Sequence, residues 1–402
     1  MSYLDRTNVA FARVPMSEEL GFTDATYGLG SGLFFVGYFF LGIPGALIVE
    51  KWGARRLIGF CAIAWGAVTV LFALVRTSMH FNVLRFLLGL SAAAFFPGVI
   101  VYLTHWFPQR DRSRALAGFL IAAPISLTLG GPLSALILRA HGMGLHGWQW
   151  IFVLEGLATI CLGIVALLIL RDSPGNVPWL QDNERELLRR SINEGDQNVE
   201  TKGNSERWWN ILRRRNILFL CIAYAFVNIA GYGFIFWLPT TVKNTMGSAA
   251  GVADTVTAVP FGLSVIVMWL AARSSDRTSE RRLHACVPML CIASLYLLTI
   301  IPGQSPSVIL AWTCLAGAFL YAWIPGFWAL PTAISTGSAR AASIGLINSI
   351  GNLGGFLGPT IIGQLLTKTH SGKSLVILVS ASYYLASAFT SRIKPASFRP
   401  PH

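Results

Sequence analysis

Long apolar runs separated by short charged clusters set the pattern of this chain. Runs near 25–49, 57–75, 80–106, 115–139, 149–170, 217–240, 251–272, 283–301, 307–334, 341–367 and 373–391 are each close to the length a helix needs to cross a bilayer, about 20 residues. A shorter run over 1–14 covers about half that distance. Residues between 171 and 216 are polar, and DNERELLRRSINEG within them reads as a soluble surface helix. The pattern predicts an all-α polytopic membrane protein with twelve spans, the first incomplete. It has an N-terminal six-helix bundle (1–171), a linker (172–214) and a C-terminal six-helix bundle (215–402).

Composition agrees. Of 402 residues, 54% are hydrophobic and only 12% charged, with a mean hydropathy of +0.58, against about a quarter charged in a soluble domain. The formal charge of +13 could suit a nucleic acid, but the basic residues fall in clusters between spans, as in cytoplasmic membrane loops. Nucleic-acid binding is therefore not expected. Alternate loops hold most of the Lys and Arg, which sets the linker and C-terminus on the cytoplasmic side of an inner membrane. The six cysteines lie in apolar runs without metal-site spacing, so neither a metal nor another cofactor is expected.

Two loops resemble one another. EKWGARR (50–56) and SDRTSERR (275–282) each set an acid beside a base and then two arginines, after the second span of each half. Glu50, Lys51, Gly53, Arg55 and Arg56 in the first, and Asp276, Arg277, Arg281 and Arg282 in the second, are candidate gating residues. Position and order point to a duplicated bundle, a known transporter plan.

Charges inside spans are costly and are functional candidates by default. Asp5 and Arg6 stand in the first run. If its helix ends near Pro15, Asp5 lies about 15 Å in, the middle of a core about 30 Å thick. The alternative is a terminal pair that snorkels to water. Arg85 is the second intramembrane cation, able to fork onto a carboxylate or to bridge helix carbonyls. Glu155 is the other intramembrane acid, open to proton coupling or to a structural hydrogen bond. Tyr3, Tyr38, Asn228, Tyr232, Asn348 and Asn352 could complete a polyol-binding site or bridge helices. Trp237, Trp323 and Trp328 are set aside as interface anchors.

The motifs YLDRTNVAFA (3–12), GLFFVGYFFLGIP (32–44), KWGARR (51–56), LRFLLG (84–89), GWQWIFVLEGL (147–157), SDRTSERR (275–282) and INSIGNLGGFLGP (347–359) occur in order along nearly the whole chain. With them the sequence resembles the major facilitator superfamily, and within it the anion:cation symporter branch of tartrate, rhamnonate, hydroxyphenylacetate and phthalate permeases. The resemblance implies a proton-responsive carboxylate at Asp5 and substrate-binding arginines at Arg6 and Arg85. It further implies that the two loops latch the cytoplasmic ends of the bundles when the protein faces outward. One departure stands out. The branch usually carries a glutamate seven residues after the fourth-span arginine, where this chain has Ala92.

Two arginines and one aspartate suit an anion, and protonating Asp5 would remove its competition for Arg6. The expected function is import of a small organic anion, a sugar acid or hydroxy-dicarboxylate, by a monomeric rocking-bundle proton symporter in contact with membrane lipid. An aromatic carboxylate is the alternative substrate, and a non-transporting sensor the alternative class. HExxH and GxSxG are absent from the sequence, so no enzyme is expected. The short first run also leads us to expect about ten further apolar residues ahead of Met1 in the natural protein.

Overall fold

The computed structural model describes residues 2–108, 111, 115, 118–119, 121–140, 142, 144–177, 180–188, 190–191, 214–247, 250–278, 280–334 and 338–393. Fourteen α-helices lie among them. They are α1 (Ser2–Leu20), α2 (Asp24–Trp52), α3 (Ala54–Leu71), α4 (Ser78–Ala92), α5 (Phe95–Trp106), α6 (Ala122–Ile137) and α7 (Gly147–Ile169), then α8 (Arg215–Met246), α9 (Ala250–Thr278), α10 (Arg281–Leu298), α11 (Pro306–Ala318), α12 (Ile324–Ile334), α13 (Ser338–Thr369) and α14 (Gly372–Ser391). Seven stretches are long and apolar enough to cross a membrane, one of them Ser78–Trp106 across α4 and α5. The chain is an all-α polytopic membrane protein.

Three departures from the expected spans have physical causes. Helix α1 does not stop near Pro15 but continues to Leu20: Pro15 forfeits the N–H bond to the Phe11 carbonyl and crowds that carbonyl, a cost set against the full burial of the next residue, Met16. Asp5 therefore lies about 22 Å from the far end of its helix. The fourth run breaks into α4 and α5, and the tenth into α11 and α12. In each, a Pro-Gly pair follows the break, Pro97-Gly98 and Pro325-Gly326, so the preceding turn lacks one donor. Each of these glycines seats against the third helix of its own half: Gly98 on Ile58, Gly326 on Arg281 and Ala285.

Between α2 and α3 a single residue reverses the chain. Gly53 sits at φ 79°, a left-handed conformation that a side chain disfavours. In the linker, residues 182–188 are helical, with Arg185 paired to Asp182 at 2.7 Å and Arg190 to Glu186 at 3.0 Å; residues 192–213 lie outside the described set.

Backbone contacts group the chain into two compact units: residues 1–6, 33–123 and 149–204, and residues 7–32, 124–148 and 205–402. In the first, α2 meets α4 where Gly37 lies on the Phe86 carbonyl and Gly89 on that of Phe34, while α3 meets α7 through Gly59, Gly66, Gly156 and Gly163. In the second, Gly351, Gly354 and Gly358 of α13 rest on Tyr224, Ala225 and Ile229 of α8, and Gly28 and Gly363 let α2 touch α13. Helix association in lipid depends on such close backbone approach.

Candidate functional site

Adjacent residues on a helix point about 100° apart and do not face each other. Asp5 and Arg6 accordingly serve different surroundings. The Asp5 carboxylate is 2% exposed, and its Oδ2 accepts hydrogen bonds from Trp65 Nε1 at 3.0 Å and Thr159 Oγ1 at 2.7 Å. Its Oδ1 accepts none among the described residues. Trp65 comes from α3 and Thr159 from α7, and the glycine contacts hold those two helices together. Direct competition between Asp5 and Arg6, expected from their adjacency, gives way to an acid anchored by two neutral donors.

The Arg6 guanidinium lies among four rings, its carbon 4.8 Å from the centre of Phe34, 5.3 Å from Tyr38, 5.6 Å from Tyr3 and 5.9 Å from Phe35. Tyr3 is one turn before it on α1, and Phe34 and Tyr38 are one turn apart on α2, so helical periodicity assembles the cage. Arg85 of α4 is fully buried. It lies 5.4 Å from the same Phe34 ring and donates from Nη1 to the Arg6 carbonyl at 3.3 Å. The carbonyl-bridging role open to Arg85 from sequence is therefore occupied, and it places a second cation beside the first. Two guanidiniums thus share one phenyl ring, Arg6 half-buried and Arg85 fully buried.

The remaining candidates divide by unit. Glu155 is buried on α7, one turn before Thr159 and on its face. Ala92 is buried at the end of α4. In the second unit, Asn228 donates to the carbonyl of Tyr224 in its own helix at 3.0 Å. Tyr232 stacks on Phe236 with centroids 5.8 Å apart. Asn348 and Asn352 are half-buried on α13, either side of the Gly351 that seats Tyr224. Tyr224 gathers Trp323, Phe327 and Trp328 at 6.1, 5.6 and 5.1 Å.

Two of the gating candidates, Arg55 and Arg282, form helix caps. Arg55 donates from Nε to the Leu167 carbonyl at 2.7 Å, with Nη2 on the same oxygen, and its backbone N–H goes to Asp172 Oδ1 at 2.7 Å. In the second unit Arg282 donates to the Ser391 and Ile393 carbonyls at 3.3 Å. Both arginines are second residues of the third helix in their half, and both close the end of the sixth. Arg281 pairs with Asp276 at 2.6 Å. Lys51, Arg56 and Arg277 are exposed, and the Glu50 side chain lies outside the described residues.

Sequence reading passed over several residues of this frame. Trp65 and Thr159 carry a signal in retrospect: GFCAIAWG (59–66) and GLATICLG (156–163) set two glycines seven apart on each of α3 and α7, which marks two helix faces able to meet. Asp172 is visible as an acid just past the sixth span. Arg13, near the end of the first apolar run, is buried inside α1. It pairs with Asp24, donates to Thr240 Oγ1 at 2.9 Å and lies 4.7 and 5.0 Å from the Tyr27 and Trp237 rings.

Membrane-spanning helices, spans broken ahead of Pro-Gly pairs and charges buried at glycine-packed crossings are features of a multi-pass membrane transporter. The chain belongs to the Major Facilitator Superfamily, whose pattern matches residues 1–359. It is 39% identical to a protein of Agrobacterium vitis named "Putative tartrate transporter", over 92% of this chain and 82% of the relative. It is 36% identical to "Inner membrane transport protein RhmT" of Escherichia coli strain K12, over 98% of this chain and 91% of the other. Among solved structures, the fold is shared with a D-xylose-proton symporter at a TM-score of 0.76 and 15% identity, covering 98% and 95% of the two chains.

Proposed function

We propose that this transporter imports a small organic anion together with protons, most closely a sugar acid or hydroxy-dicarboxylate such as rhamnonate or tartrate. The observation that carries the reading is the pair of guanidiniums, Arg6 and Arg85, around Phe34. Their planar forks match a carboxylate, and the aromatic cage keeps Arg6 oriented for it. The tartrate transporter name among the relatives supports the substrate class. Asp5 is the proton site, because a buried carboxyl held by neutral donors can gain or lose a proton without breaking an ion pair to its neighbour. Glu155 is a second acid on the same helix face as Thr159.

The protein works as a monomer surrounded by lipid, needs no cofactor beyond the coupling proton, and alternates access by rocking of its six-helix halves (1–171 and 215–402). Its linker (172–214) and C-terminus face the cytoplasm. Asn228, Tyr232, Asn348 and Asn352 carry the amides and the hydroxyl suited to polyol recognition. Arg55 and Arg282, with their loops, keep the third and sixth helices of each half together during the movement. The Tyr224 cluster with Trp323 and Trp328 favours a second reading, an aromatic carboxylate, through stacking.

Proteoliposome uptake of a panel of labelled carboxylates, with and without an inward-directed acid gradient, tests the proposal. Gradient-stimulated uptake of a hydroxy acid is expected. Preference for an aromatic acid would select the second reading, and no uptake of any carboxylate would remove both.

A further inference from the structure

We infer that Trp65 and Thr159 are positioning residues that decide which oxygen of Asp5 carries its proton: they hold Oδ2, and the proton resides on Oδ1. The inference rests on the reading of Asp5 as the proton site and gives that site its geometry. An indole N–H can only donate, so Trp65 fixes Oδ2 as an acceptor. The Thr159 hydroxyl, 2.7 Å from the same atom, then donates as well. A proton on Oδ2 would set three hydrogens around one oxygen. Oδ1 accepts no hydrogen bond among the described residues, so a proton there displaces nothing. In the protonated acid, Oδ2 is the carbonyl oxygen with two donors on it; in the ionised form the same donors face a charge and bind more strongly.

The placement of the donors is built rather than incidental. Methyl groups on Gly66 and Gly156 would lie 2.8 and 2.7 Å from each other's carbonyls, and on Gly59 and Gly163 3.1 and 3.0 Å. This seam sets α3 against α7 and delivers Trp65 and Thr159 to one atom. Phe95 of α5 meets the Trp65 ring edge-on at 4.8 Å and holds the indole in place. Within two turns of Asp5, Trp65 and Thr159 on their own helices the charged and titratable side chains are Tyr3 and Arg6 on α1, Cys61 on α3, and Glu155 and Cys161 on α7, with Tyr38 of α2 and Arg85 of α4 beyond them around Arg6. All of them are unchanged when Thr159 becomes valine, so that substitution isolates the donor.

The test is pH-difference infrared spectroscopy of the full chain in lipid, taking as the Asp5 band the protonated-carboxyl stretch that disappears in Asp5→Asn. Thr159→Val is expected to move that band to higher frequency, since its carbonyl loses a donor. The midpoint of its titration should also move to higher pH by about one unit, a tenfold change in proton affinity. Thr159→Ser should restore both, and Trp65→Phe should repeat both shifts should Thr159→Val fail to fold. A Thr159→Val band with wild-type frequency and midpoint would overturn the inference, as would the lack of any band lost in Asp5→Asn. Uptake by the wild type that ignores a pH gradient would instead remove proton symport alone, because the infrared band reads Asp5 without transport.

Discussion

Gly66 and Gly156 meet so closely that a methyl on either would come within 2.8 Å of the other's carbonyl oxygen. Their contact joins α3 to α7 and brings two donors to one buried carboxylate. Gly156→Ala is expected to force the helices apart and to cost about 1–3 kcal/mol, the usual range for overpacking, read as a lower melting temperature in detergent. Gly345→Ala on α13, where nothing lies within 4 Å of the added methyl, should leave the melting temperature unchanged or slightly raised.

Asp5→Asn keeps the size of the side chain and its place against Trp65 and Thr159 but cannot exchange a proton. Exchange of labelled for unlabelled anion across proteoliposomes should persist. Accumulation driven by an acid gradient should be lost. Loss of both activities together would place Asp5 in anion binding instead.

Arg6 depends on a planar cation that can lie against four rings. Arg6→Lys retains the charge but neither the stacking nor the fork, and the apparent KM for the best substrate should rise about tenfold, or about 1.4 kcal/mol. Phe34→Leu should raise it as well, since that ring faces both Arg6 and Arg85.

Arg55 and Asp172 cap one another's helices, the arginine closing α7 and the carboxylate receiving the backbone N–H of α3. Asp172→Ala should cost about 1 kcal/mol, as loss of a helix cap does. The double variant with Arg55→Ala should be less destabilised than the sum of the singles, because both act on one junction. Thermal unfolding of the four proteins decides it.

Arg13 is clamped by Asp24, Thr240, Tyr27 and Trp237. Arg13→Gln should destabilise the second unit by about 1–3 kcal/mol, since it leaves the partly exposed Asp24 without its cation. It should also alter the emission of Trp237, which loses the cation over its ring. An unchanged melting temperature and spectrum would show that the clamp contributes nothing.

The architecture was legible because its signal is long-range and redundant. Apolar runs of span length gave the helices, and the two arginine loops that resemble one another place Arg55 and Arg282 in matching caps. Asp5, Arg6 and Arg85 were legible for a different reason: each is a charge where charge is expensive. Trp65 and Thr159 are one indole and one hydroxyl among many on apolar helices, and only the glycine seam makes them converge. Pro15 misled for a local reason, since helix-breaking propensity yields to burial of Met16 beyond it. Arg13 was not legible because a cation near a span end resembles a loop charge until its aromatic and carboxylate partners are placed around it.

The seam between α3 and α7 has a mechanical meaning. Hydrogen bonds of 2.7 and 3.0 Å weaken steeply with lengthening, and the two that reach Asp5 begin on different helices. A tilt or slide of α3 against α7 that α1 does not follow would change the length of at least one of them, and, on the proposal that Asp5 is the proton site, its hold on a proton as well. On the same proposal, a proton arriving at Asp5 would weaken both hydrogen bonds at once. On that proposal four glycines would make a strain gauge of an aspartate, its two hydrogen bonds reading the distance between the helices that carry their donors.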